Sequence, residues 1–366
     1  PMTQQRATYA QAGVDVESGE RAVELMRASI VASSRPEVVG DFGGFAGLFD
    51  ISAAKSMRKP LLATSTDGVG TKIAVARALD IHHTVGLDLV AMVVDDLVVC
   101  GAEPLFMTDY IAVGSVNPDR IASIVSGIAR GCERAGCSLV GGETAEHPGL
   151  MAPDEYDIAG AGTGIVDSDN VLGPDRVNAG DIVIAMKSSG LHSNGYSLAR
   201  HVLVGDGKLG LDAHVDALGR TVGEELLEPT YIYALDALAL ISGSRVNAFS
   251  HVTGGGIAAN LARVLPETLA ADVRRNTWAP AEIFNVICSE GNVPQLDAEK
   301  TFNMGIGMLA VVGKDSVDAA LEILGQRRVD AWVCGSVRDR TAGERGDYPA
   351  KGGIGGAVNL VGTYEN

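Results

Sequence analysis

Between positions 87 and 100 nearly every side chain is apolar. Leu87, Leu89, Val90, Ala91, Met92, Val93, Val94, Leu97, Val98 and Val99 are interrupted only by Asp88, Asp95 and Asp96 before Cys100. A run of this length without Gly or Pro predicts a helix buried around most of its circumference. Shorter patterns flank it. Residues 61–66 (Leu-Leu-Ala-Thr-Ser-Thr) predict a strand, and Asp67-Gly68-Val69-Gly70-Thr71-Lys72 a turn feeding a helix from about Ile73. Helical periodicity returns over 118–135, a short strand at 138–140 ends at Gly141-Gly142-Glu143, and 156–166 reads as a strand loosened by glycines.

The pattern pauses at Gly173-Pro174-Asp175, then restarts with a strand over 181–186 and a helix from about Ser193. Further on come a strand near 246–252, glycines 254–256, a helix over 257–264, a strand at 307–312 and a helix at 316–324. Residues 341–353 are polar and Gly-rich, the mark of a surface loop before a last strand near Val358. The pause divides the chain into domains 1–172 and 173–366, in keeping with roughly 100 to 200 residues per domain. Both halves mix α and β, so the predicted class is α/β.

Composition narrows the function classes. The 366 residues are 46% apolar and 20% charged, as in globular proteins, with 29 Lys and Arg against 46 Asp and Glu, a net charge of −17. Such a chain offers no broad basic surface for nucleic acid. No apolar run approaches the ~18 residues of a membrane span, and residues 2–9 lack an apolar leader core, so a cytoplasmic location away from membranes is expected. Five cysteines, Cys100, Cys132, Cys137, Cys288 and Cys334, contain no C-x-x-C pair and point to reduced thiols rather than disulfides or zinc. The 46 glycines are clustered rather than periodic, which suggests backbone approaching ligands.

Four segments carry candidate chemistry. In Ser65-Thr66-Asp67-Gly68-Val69-Gly70-Thr71-Lys72, glycines let backbone N–H groups face an anion, Lys72 adds positive charge, and Asp67 is able to hold a metal bridging phosphates. The Walker spacing fails, and an ordinary glycine turn with a surface lysine fits equally well. On the 87–100 helix, ~100° per residue puts Asp88 and Asp95 within ~20° of one face and Asp96 about a quarter-turn away. Acids among aliphatic residues call for a metal or a cation-lined cleft. The solvated stripe of an amphipathic helix is the competing reading, and spacing does not choose between them. Gly141-Gly142-Glu143-Thr144-Ala145-Glu146 sets two more acids after a strand, and oxygen ligands of this kind suit Mg²⁺ with a nucleotide. The hydroxyl-rich 188–197 segment, with His192 and Asn194, slightly favours an N-cap with a hydrogen-bonded histidine, while His251-Val252-Thr253-Gly254-Gly255-Gly256 suits a phosphomonoester.

Together these segments resemble the aminoimidazole ribonucleotide synthetase family, also called phosphoribosylformylglycinamidine cyclo-ligase. The likeness runs in family order through Tyr9-Ala10-Gln11-Ala12-Gly13-Val14-Asp15, Arg35-Pro36-Glu37-Val38, Gly43-Gly44-Phe45, 65–72, 86–104, 136–148, 188–198, 251–256 and 301–308. It implies a two-domain synthetase fold. The N-terminal domain would form an intersubunit β-barrel in a homodimer, beside a C-terminal α/β sandwich. It also implies ATP with Mg²⁺ and a small ribonucleotide substrate, formylglycinamidine ribonucleotide, closed to 5-aminoimidazole ribonucleotide after phosphorylation of its formyl oxygen. Carried over by position, Asp67, Asp96 and Glu143 are metal or phosphate ligands, and Lys72, His192 and Asn194 are the catalytic candidates. Gly43, Gly44, Gly68, Gly70, Thr71, Gly142, Thr253, Gly254, Gly255 and Gly256 are nucleotide and phosphate contacts.

This sequence departs from the family at Asp95, where Asn is frequent, at Arg27, where Lys is common, and at His147, where Met is common. Arg27 keeps the charge but not the ability to change protonation. Residues 341–353 have no evident counterpart. Among other ATP users of the superfamily, selenophosphate synthetase needs an early Cys or selenocysteine and the hydrogenase maturation dehydratase a terminal Cys. Here no cysteine precedes Cys100 and the sequence closes Thr363-Tyr364-Glu365-Asn366.

Overall fold

The computed structural model describes residues 16–40 and 43–365, so the 9–15 motif lies outside the described residues. The first half opens with α1 (Val16–Ala32) and a short ribbon of β1 (Val38–Val39) and β2 (Leu48–Phe49). Then come β3 (Pro60–Gly68), α2 (Lys72–Leu79), α3 (His83–Val99), β4 (Glu103–Val113), α4 (Pro118–Ala135), β5 (Ser138–Glu146) and β6 (Tyr156–Asp167). The four longer strands form an open sheet in the order β3-β6-β4-β5, parallel only between β4 and β5. With β3 and β5 as free edges, the sheet of one chain is not a closed barrel.

Local chemistry accounts for the helices. Asn117 caps α4 by accepting from Arg120 N–H at 3.1 Å, Pro118 opens the first turn, and Gly136, at φ 72°, ends it in the left-handed region. Its apolar face buries Ile121, Ile124, Val125, Ile128 and Cys132, each large aliphatic contributing about 1.5 to 3 kcal/mol. α3 and α4 cross through glycines: a Cβ on Gly86 would stand 2.4 Å from Ile128 N, and one on Gly127 2.0 Å from His83 O. α3 lies on β3 and β6, and α1 and α4 pack together against β5.

The second half holds β7 (Ile182–Lys187), α5 (Tyr196–Leu203), a ribbon of β8 (His214–Val215) and β9 (Arg220–Thr221), α6 (Val222–Leu226) and α7 (Ala234–Gly243). It continues with β10 (Val246–His251), α8 (Gly256–Ala262), β11 (Leu269–Arg274), α9 (Glu282–Gly291), α10 (Gln295–Thr301), β12 (Ile306–Val312), α11 (Val317–Gln326), β13 (Ala331–Asp339) and β14 (Ala357–Val361). Six of these strands form a mixed sheet, β10-β12-β7-β13-β11-β14, in which only β11 and β14 are parallel. Every residue of β10 and β12 is buried, so both faces there are covered. Because α3 also packs on α7 and β10, it joins the two halves. All five cysteines are free thiols. No helix among the described residues is long and apolar enough to cross a membrane.

Candidate active-site cleft

The three carboxylates of α3 occupy three different environments. Asp88 is fully buried, its Oδ1 accepting from Lys72 Nζ at 2.9 Å, Thr230 N at 2.7 Å and Thr230 Oγ1 at 2.6 Å. Lys72 is equally buried and also donates to the carbonyls of His192 at 3.0 Å and Glu228 at 2.6 Å. All three of its protons are thus engaged. Burial pulls its pKa below the ordinary value, against the opposing pull of Asp88. The lysine expected to meet a phosphate is instead an internal link between α2, α3 and the second half.

Asp95 is also fully buried and accepts the Tyr233 N–H, at 3.0 and 3.2 Å to its two oxygens. Burial pushes its carboxyl up to about 7. Asp96, a quarter-turn round, keeps 44% of its side chain exposed and lies 2.9 Å from His251 Nδ1, with the imidazole N–H donating. Burial alone would raise the Asp96 pKa, but the bond and charge of His251 outweigh it and hold the group below its usual value. Reciprocally, burial opposes protonation of His251, yet Asp96 and its acidic neighbours raise it above an ordinary imidazole. His251 Nε2 is buried without a hydrogen-bond partner among the described residues.

Asp67, at the end of β3, accepts the Gly68 N–H at 2.8 Å, and burial, reinforced by the like charge of Asp96, raises its pKa. Thr71 Oγ1 stands 3.2 Å from Ser197 Oγ, bringing the 67–72 turn against the 188–197 segment. Asn194 Oδ1 accepts the Gly254 N–H at 3.0 Å, and the Gly256 N–H is bonded to Thr253 O at 3.1 Å. Two of the three glycine amides expected to face an anion are therefore already used. A cavity of about 240 Å³ lies among Thr64, Ser65, Asp96, Ser250, His251, Asn260 and Arg263.

Other expected residues fall elsewhere. His192, at φ 61° and 1% exposed, accepts the Ser189 N–H at Nε2 (3.1 Å). Burial, followed by the charges of His251 and Lys72, drives its pKa well below that of free imidazole, so it is a neutral internal group and not one lining the cleft. Gly142 and Glu143 sit on β5, the edge opposite β3, so the set Asp67, Asp96 and Glu143 is not gathered in one place. They line a separate cavity of about 360 Å³ between α1 and the sheet, with Asp109, whose carboxyl burial raises to about 7. A Cβ at Gly142 would stand 1.7 Å from Asp109 Oδ1, which is why glycine occupies that position. Gly43 and Gly44 form an exposed turn, Gly43 at φ 105°. His147 Nε2 lies 3.0 Å from Tyr110 OH. Among the described residues no three His, Cys, Asp or Glu side chains are grouped to hold a metal by themselves.

Two cleft residues escaped the sequence reading as individuals. His251 was visible only as the first letter of its glycine motif. Lys351, whose Nζ donates to Thr253 Oγ1 at 3.1 Å, comes from the 341–353 segment, where the only signal was a lysine followed by paired glycines.

Comparison with known proteins assigns both halves. Residues 49–166 match the family described as AIR synthase related protein, N-terminal domain, and residues 178–347 its C-terminal domain. A phosphoribosylformylglycinamidine cyclo-ligase of Brevibacillus brevis is 48% identical over 92% of this chain and 96% of its own. One of Myxococcus xanthus is 49% identical over 90% and 95%. Among solved structures, thiamine-monophosphate kinase from Stenotrophomonas maltophilia superposes with TM-score 0.64 at 18% identity, covering 92% of this chain and 95% of that one. Hydrogenase maturation protein HypE in complex with ATP gives 0.61 at 18% identity, with 88% and 86% covered. At that identity the two structures establish the shared fold alone.

Proposed function

The chain belongs to the phosphoribosylformylglycinamidine cyclo-ligase family, and from that membership we propose how its cleft serves the family's reaction. The enzyme closes formylglycinamidine ribonucleotide to 5-aminoimidazole ribonucleotide with ATP, in de novo purine biosynthesis. The formyl oxygen takes the γ-phosphoryl group and ADP leaves. The amidine nitrogen then attacks the imidate carbon, and phosphate departs with the former formyl oxygen as a proton is lost from nitrogen. Phosphoryl transfer asks the protein mainly for positioning and charge neutralisation.

Asp67 and Asp96 are the groups to hold Mg²⁺, since this ion is commonly bound through one or two carboxylates together with substrate phosphates. Their mutual repulsion and hard oxygen donors fit such an ion. When bound, it neutralises charge on the β- and γ-phosphates during transfer. His251 orients the Asp96 carboxylate by its hydrogen bond. Asn194 holds the 253–256 turn, which receives the ribose phosphate, and Gly68, Gly70 and Thr71 approach the nucleotide. Lys72 and His192 act as positioning residues: Lys72 binds the His192 carbonyl and so fixes the start of the segment that carries Asn194.

We assign residues 1–172 to ATP binding and dimerisation and 173–366 to the substrate. Homodimer formation through the first half is supported by its exposed apolar side chains, Leu48, Ile51 and Leu62, and by the free edge of β3. Gly43, Gly44, Gly142 and Glu143 then belong to the part of the nucleotide site that a second copy completes. A cytoplasmic setting fits the substrate.

The observation that carries this reading is the meeting of Asp67, Asp96 and His251, from β3, α3 and β10, in one cleft of a chain 48% identical to a named cyclo-ligase. ADP release measured with and without formylglycinamidine ribonucleotide tests it. Release should depend on that substrate and on Mg²⁺, and ADP formation indifferent to the substrate would overturn it.

A further inference from the structure

We propose that Lys351, delivered by the segment between β13 and β14, is a substrate-binding residue whose ammonium takes a phosphate group at the mouth of the cleft. The inference rests on the functional reading above.

The segment is fastened along its length. Arg338 bridges Asp272 and Glu344, both at 2.7 Å, Tyr348 OH donates to Leu296 O at 2.6 Å, and the Leu360 N–H donates to Asp347 at 2.6 Å. At the lysine itself, the backbone N–H bonds to Ala259 O of α8 at 3.0 Å. The Lys351 side chain is therefore aimed by its backbone rather than trailing from a loose loop.

What it meets is a neutral hydroxyl. Thr253 Oγ1 accepts from Nζ at 3.1 Å, and no carboxylate among the described residues lies within ion-pair distance of the ammonium. An exposed ammonium with only a hydroxyl partner is free to bind an anion.

The other groups at the turn leave room for this role. Lys72 is engaged with Asp88 and two carbonyls, while Arg263 and Lys300 line cavities beside the turn without the direct bond to Thr253 that Lys351 makes. The amides of Gly254 and Gly256 are already bonded within the protein. Beneath the turn, Ser250 Oγ and His251 Nε2 are buried without partners among the described residues and line the same cavity as Asp96 and Arg263. A phosphate brought to an acidic chain at this turn needs positive charge, and Lys351 supplies it from a segment that the family motifs do not include.

The phosphate belongs either to the ribonucleotide or to ATP, and separate titrations distinguish them. Lys351→Met keeps the aliphatic stem and removes the charge, and Lys351→Arg restores it. The variant lacking the charge should raise KM for one of the two substrates by about tenfold, more than it changes kcat, with Tm unchanged and the arginine variant recovering most of the loss. A shift in KM for the ribonucleotide assigns its 5′-phosphate, and a shift in KM for ATP assigns the nucleotide. Calorimetric binding of ribose 5-phosphate and of a non-hydrolysable ATP to the same proteins gives a readout independent of turnover. Unchanged KM values together with unchanged binding of both probes in a folded Lys351→Met protein would overturn the assignment. A wild-type protein that binds these probes but does not convert the ribonucleotide would instead count against the functional reading alone.

Discussion

Lys72 and Asp88 form a 2.9 Å ion pair in which neither side chain reaches solvent. An internal pair of this kind is destabilised far more by loss of one partner than by loss of both, because the survivor remains charged and buried. Lys72→Met should therefore lower stability by about 3 to 5 kcal/mol in denaturant unfolding. A variant of unchanged Tm with a raised KM for ATP would return Lys72 to the phosphate site.

Asp95 gives a pH dependence with a definite sign. Its folded-state pKa of about 7 lies above the unfolded value, so its contribution to stability is fully present below about pH 4 and lost as pH rises through 7. Asp95→Asn keeps an oxygen to accept the Tyr233 N–H and removes the titration. The Tm difference, variant minus wild type, should grow between pH 4 and 7 and level off above, reaching at most about 4 kcal/mol in free energy. A difference independent of pH would exclude a carboxyl held near neutrality.

For Asp67 and Asp96 the expected losses are kinetic. Asp67→Asn and Asp96→Asn should each reduce turnover by at least ~10²-fold, a few kcal/mol in barrier. Without ligand, Asp67→Asn should leave Tm unchanged or raised, because the like charge of Asp96 no longer opposes folding. Near-normal turnover in either variant removes that residue from the metal site.

If the first half dimerises, its exposed apolar side chains are covered in solution. Sedimentation should then show a dimer at micromolar concentration, and Leu62→Glu, on the edge strand β3, should shift the population toward monomer, since a buried unpaired carboxylate costs several kcal/mol. A monomeric wild type at that concentration rules the interface out.

Sequence pattern located α4 to the residue because Asn117, Pro118 and Gly136 mark its ends. It placed the start of α3 four residues late, at Leu87, where no side chain caps the helix at His82. β4 was missed because a bulge between Pro104 and Phe106 breaks the alternation of buried and exposed positions. Of the helices packed on the sheet of the first half, α3 and α4 were legible, whereas α1 has no counterpart in the sequence pattern for want of a strong apolar face. In the cleft, Asp67 and Asp96 were recognisable from residue type and neighbours. The fate of Lys72 was not, since its carbonyl acceptors stand 120 and 156 residues away in sequence. Nor was the separation of Glu143 from Asp67, because strand order in the sheet differs from order along the chain.

α3 also decides how the molecule can move. Through Asp88 to Thr230, Asp95 to Tyr233 and Asp96 to His251, one helix of the first half is riveted at three points along its axis to the second. A hinge between the halves would have to break the contacts at all three points and expose two buried carboxylates together. A swing of one half against the other is therefore costly in this arrangement.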